Sequence, residues 1–213
     1  MKRKQIILLL IVGLIVTSMG WLFLQLRADQ DLSTLSGASL VDELTSRTEV
    51  TSEELNDFQQ RGEWEAVIYS LTHDLVEPTI EQLDFALSEG TPDVLEAYLQ
   101  SDIDPFQSID NVPVLASLFN GNEDPAYWKV VVAQLKDERL LTYAVEGLNY
   151  EATELLLNEG YTIQDTESVL LQPVRHNQVE LTQLLLDNGA QWTKEMEQTA
   201  KDYNSDLILK MGN

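Results

Sequence analysis

Two hydrophobic patterns divide the chain. From Gln5 to Leu26 no charged residue occurs, and fourteen of these 22 positions are Leu, Ile, Val or Phe. As a helix the run would measure about 33 Å, enough to cross a hydrocarbon core of about 30 Å. Trp21 near its outer end suits the interface between hydrocarbon and water. A cleaved signal peptide is the competing reading, with a small-residue site at Ser18 and Gly20. Trp21-Leu22-Phe23-Leu24 carries the apolar run past that site, so the pattern predicts a transmembrane helix over residues 5–26 behind a basic tip, residues 1–4.

The second pattern is helical. Residues 27–51 are rich in Ser, Thr, Asp and Leu without clear periodicity and read as a linker, with a short helix around Ser39 to Leu44. From Ser52 onward short apolar helices are separated by Gly, Asn, Asp and Pro, and no stretch alternates as a strand would. A repeat then emerges. Residues 151–160 and 180–189 share a Glu, a Leu-Leu-Leu block and a terminal Gly at an offset of 29. Moving back 58 from Gly160 puts Asp102 in the same slot, and another 28 gives the frame 65–74. Gly62 and Gly90 match one another at the turn between paired helices.

These residues resemble an ankyrin repeat array. Asn188-Gly189-Ala190 with its Leu block fits the end of such a unit, and Ala86 and Ala144 fill the small position of its first helix. Val112-Pro113-Val114-Leu115 with Gly121 resembles the start of a unit and its turn glycine, and a final unit runs from Thr193 through Met196, Ala200 and Leu207 to Met211. The departures are a period of 28 to 29, against about 33 in the family, and an insertion around residues 122–128. The shorter period implies that the hairpin fingers between units are short or missing. The resemblance thus implies an all-α fold: a solenoid of about six ankyrin-like helix-turn-helix pairs over residues 52–213, behind one transmembrane helix. Another helical-pair solenoid is the alternative.

Charge adds a direction and a partner type. Lys2, Arg3 and Lys4 precede the apolar run, whereas Arg27 after it is soon met by Asp29 and Asp31. Basic flanks stay cytoplasmic, which places the C-terminal domain outside, in the periplasm of a bacterial inner membrane. The absence of Asn-x-Ser/Thr sequons favours a bacterial source, and the absence of Cys excludes disulfides and a lipoprotein anchor. Beyond residue 27, 36 acids face nine bases, a net of −27. Between Glu63 and Trp128 there are 14 acids and no Lys or Arg. Such a surface repels nucleic acid and suits a basic partner. The plainer explanation is a solubilising coat.

No chemistry stands out. His73 and His176 are 103 positions apart and belong to no metal or catalytic spacing. Asp102 with Asp104 lacks the glycine and distal glutamate of a calcium loop, and Glu123-Asp124-Pro125 reads as a helix start. The expectation is therefore no catalytic, cofactor-binding or metal site. Gly13, Thr17 and Gly20 lie at helical spacing in the apolar run and could let two copies approach. Asn122, Glu123, Asp124, Tyr127 and Trp128 form the candidate partner-binding insertion, because exposed aromatics anchor interfaces. The alternative is that Trp128 packs inward beside Val131, Val132 and Leu135, as Trp64 and Trp192 are read to do. The expected function is a membrane-anchored, non-enzymatic protein-interaction module. Its partner would be a basic or membrane-embedded protein, with the chain acting as scaffold or accessory subunit of an envelope complex. The alternative is an acidic inhibitor or immunity protein that neutralises a basic toxin or enzyme.

Overall fold

Local signals start about half of the helices. The computed structural model describes residues 31–121 and 124–211. Thr51 and Thr79 form full capping boxes with Glu54 and Gln82, opening α2 (Ser52–Arg61) and α4 (Ile80–Glu89). Pro92 and Pro125 sit in the first turn of α5 (Pro92–Gln100) and α7 (Pro125–Gln134), where a missing N–H costs nothing. Asn149 and Thr193 cap α9 (Tyr150–Asn158) and α12 (Lys194–Asp202). The remaining helices are α1 (Gly37–Leu44), α3 (Trp64–Thr72), α6 (Val114–Gly121), α8 (Arg139–Glu146), α10 (Leu171–Arg175), α11 (Val179–Asp187) and α13 (Asp206–Leu209).

None of these segments can bury its apolar stripe alone, so they pack in two layers. The first holds α2, α4, α6, α8, α10 and α12, each touching the next; the second holds α1, α3, α5, α7, α9, α11 and α13 in the same manner. Between the layers lie Leu55, Phe58, Leu83, Leu115, Leu140 and Val174 from one side, and Val67, Leu95, Tyr98, Val131, Leu156 and Leu185 from the other. Each such aliphatic or aromatic side chain contributes about 1.5–3 kcal/mol on leaving water. The offset of 29 has a structural counterpart. Thr153 and Thr182 are both buried, and each hydroxyl donates to the carbonyl four residues back, Asn149 and Gln178, at 2.7 Å.

The expected fold class needs correction. Among the described residues no helix is long and apolar enough to cross a membrane. The longest have ten residues, about 15 Å. The apolar run 5–26, with Gly13, Thr17 and Gly20, lies outside the described residues. Nor do the pairs repeat as a regular ankyrin-like solenoid would. First helices shrink from ten residues in α2 to five in α10, and the connections differ in conformation. Gly62 is left-handed at φ 71°, whereas its sequence match Gly90 has φ −80°. Gly90 is required for another reason: a Cβ there would lie 2.5 Å from the Ala86 carbonyl oxygen. The molecule is a helical domain built of unlike pairs.

Two further expectations change. A hairpin does occur, pairing Ser108–Ile109 (β1) with Val112–Pro113 (β2) antiparallel, Ile109 opposite Val112. Asp110 and Asn111 both have positive φ, 52° and 66°, as a two-residue type I′ turn demands. Alternation over two residues is too short to register as a strand pattern. The segment read as a linker, 27–51, is folded from Asp31 onward: Leu32, Leu40, Leu44 and Val50 are all buried. Arg61 fastens it by donating from Nη1 to the carbonyls of Ser33 (3.2 Å) and Leu35 (2.7 Å) and from Nη2 to Leu32 (3.3 Å). Glu63 accepts the Gly37 N–H at 2.8 Å. α1 therefore extends the second layer by one helix at its N-terminal end.

Candidate functional site

The insertion singled out by sequence does not assemble into an aromatic anchor. Asn122 and Glu123 lie outside the described residues. Asp124 caps α7, accepting the Ala126 N–H at 2.9 Å. Tyr127 is half-buried, and its hydroxyl donates to the Gly90 carbonyl at 2.7 Å, tying α7 to the α4–α5 turn. Burial, and secondarily the Asp124 charge, push that phenol above its usual range. Trp128 is only 3% exposed and belongs to the core with Val131 and Val132, so it offers no surface to a partner.

The histidines stay apart as well. His73 caps α3, stacked on Tyr69 at 3.9 Å, and His176 follows α10 at the surface. Among the described residues no group of three or more His, Asp or Glu could hold a metal ion.

The structure instead opens a cleft of about 350 Å³ between α8, α10 and the 162–169 loop. Its lining is mixed: the apolar part is Leu141 and Val145, one turn apart on α8 and both buried, with Leu171 from α10 and the half-buried Ile163 and Val169 from the loop. Its rim is polar, with Glu138, Glu146 and Asp165 on one hand and Arg175 on the other.

The loop is held at several points. Tyr161 at its base donates to the Leu135 carbonyl at 2.5 Å, and burial raises its phenol. The Thr162 N–H donates to Glu138 at 3.0 Å, and the Gln191 N–H to the Thr166 carbonyl at 2.7 Å. Asp165 accepts from the hydroxyl and backbone N–H of Ser168, and these bonds hold its carboxyl below the usual range. Glu146 makes no hydrogen bond or ion pair among the described residues, and Arg175 lies 5.9 Å over the Tyr203 ring. Sequence reasoning missed this cleft. The one signal available was that Glu146 and Arg175 stand 29 positions apart, hence at equivalent places on adjacent first helices.

Most acids of the base-free stretch are exposed. Glu65, Glu81, Asp84, Glu89, Asp93 and Asp110 are all exposed on α3 through the hairpin. Ion pairs such as Arg61–Asp57 (2.9 Å) and Arg139–Asp137 (2.7 Å) lie outside this stretch. Comparison with known proteins adds no relative: no family model, no curated protein and no solved structure matches the chain.

Proposed function

We propose that this chain is a non-enzymatic protein-interaction module, held at a bacterial inner membrane by residues 5–26 with its helical domain in the periplasm. It would act as scaffold or accessory subunit of an envelope complex. The observation that carries the reading is the cleft on the first-helix layer, whose mixed apolar and charged lining suits a partner's side chains.

The spacing to the membrane supports a partner close by. Leu32 is already buried in the domain, so only residues 27–31 separate it from the apolar run. Fully extended, five residues span about 18 Å. The domain would therefore sit near the headgroups, within reach of a membrane-embedded partner.

A second reading, an acidic inhibitor or immunity protein against a basic toxin or enzyme, draws on the base-free run from Glu63 to Asp124. Crosslinking in native membranes, followed by mass spectrometry and capture at low and high salt, separates the two. A partner retained at 0.5 M NaCl supports the scaffold, and one lost there supports the acidic inhibitor. Recovery of the chain in the soluble fraction, or loss of residues 1–20, would end the membrane-held reading.

A further inference from the structure

We infer that the cleft between α8, α10 and the 162–169 loop receives an apolar side chain of a partner segment, with a Lys or Arg of that segment beside Glu146. This deepens the interaction-module reading and rests on it.

Size comes first. About 350 Å³ is the lower end of the range for ligand pockets, room for a few side chains of a partner segment rather than for a folded surface. Leu141, Val145, Leu171, Ile163 and Val169 supply the apolar part of its lining. The loop wall is fixed at Tyr161, Thr162 and Thr166, so binding orders little that is not already ordered.

Charge then selects the segment. Three carboxylates and one guanidinium rim the cleft, in a chain whose remainder beyond residue 27 carries −27. Glu138 and Asp165 are engaged by Thr162 and Ser168, which leaves Glu146 as the carboxylate open to an incoming cation. Glu146 and Arg175 occupy matching positions on adjacent helices, so the cleft is polarised from one to the other. A base is drawn to the Glu146 side and repelled from the Arg175 side.

The test uses the full chain in detergent micelles and fluorescein-labelled pentapeptides read by anisotropy. The probes are Gly-Arg-Leu-Gly-Gly and its counterpart with Glu in place of Arg. The Arg peptide should bind at least about tenfold more tightly, as expected when a charge pair is replaced by a like-charge clash. Thr142 is exposed on the cleft wall, so Thr142→Trp fills the space without entering the core and should abolish binding. Glu146→Arg should weaken the Arg peptide about tenfold, and Arg175→Glu should tighten it. Circular dichroism confirms that each variant keeps its helices. Binding of neither peptide, or equal binding of the Arg peptide to the parent, T142W and E146R, would overturn the inference. The native crosslink distinguishes this failure from failure of the module reading. A partner still captured by T142W overturns the cleft alone. A parent chain that crosslinks to no protein while the peptide pattern holds overturns the module and leaves the cleft's chemistry standing.

Discussion

Three glycines and one tyrosine show how differently the same residue types are constrained. A Cβ on Gly147 would lie 2.7 Å from Asn120 Oδ1 and 2.9 Å from the Phe119 carbonyl oxygen, because the α8–α9 turn presses on the end of α6. Gly160 and Gly189 instead have φ of 92° and 99° with nothing within 4 Å of a built Cβ. Gly147→Ala should therefore cost about 1–3 kcal/mol through overpacking. Gly160→Ala and Gly189→Ala should each cost about 1 kcal/mol through backbone strain alone. Urea unfolding of the three variants checks the order. Tyr98 is fully buried, and its hydroxyl has no hydrogen-bond partner among the described residues. Tyr98→Phe removes that unsatisfied group and should stabilise the fold by about 1 kcal/mol, measured in the same way. Burial raises the phenols of Tyr98, Tyr127 and Tyr161. Below pH 10 they are neutral in both folded and unfolded chains, and their contribution is intact. Above it the unfolded chain ionises first, so stability should fall as pH rises from 9.5 to 11.5, with Y98F falling least.

At the scale of elements, the N-terminal segment depends on one side chain. Arg61 holds three carbonyls of the 32–35 turn and pairs with Asp57 at 2.9 Å. Arg61→Ala should cost about 2 kcal/mol, since hydrogen bonds from a charged donor are lost together. Its signature should be local, with faster amide exchange over residues 32–44 and little change in α11 or α12. Uniform acceleration across the domain would mean that α1 is not a separable layer. The start of α7 was legible in advance, because the Asp124 side chain meets a backbone N–H only two residues away and Pro125 follows it. The hairpin was not, since its two strands have two residues each, too few to alternate, and its turn carries Asp110 and Asn111 without a Gly.

For the whole molecule, electrostatics oppose compactness. A formal charge of −23 repels itself, and the carboxyls held low among the described residues, Asp31, Asp137, Asp165 and Glu197, are each at the surface beside their own local donors or bases. Salt should therefore stabilise the domain. Between 10 mM and 0.5 M NaCl the Debye length falls from about 30 Å to under 5 Å, and Tm should rise by about 2–4 °C per kcal/mol of repulsion relieved. A thermal melt that is flat or falling with salt would show that local ion pairs outweigh the general repulsion.

The sequence by itself determined the helical content, the 29-residue recurrence, the helix start at Asp124-Pro125 and the base-free acidic stretch, because each rests on neighbours in the chain or on composition. Tertiary structure decided the rest. It buried Trp128, bound Tyr127 to Gly90, folded Leu32 through Val50 onto the domain and joined α8 to the 162–169 loop as a cleft. The contacts behind those outcomes join residues some 20 to 40 positions apart, such as Arg61 with Leu35 and Tyr161 with Leu135. Short-range hydrophobic periodicity carries no information about which loop a distant side chain will meet.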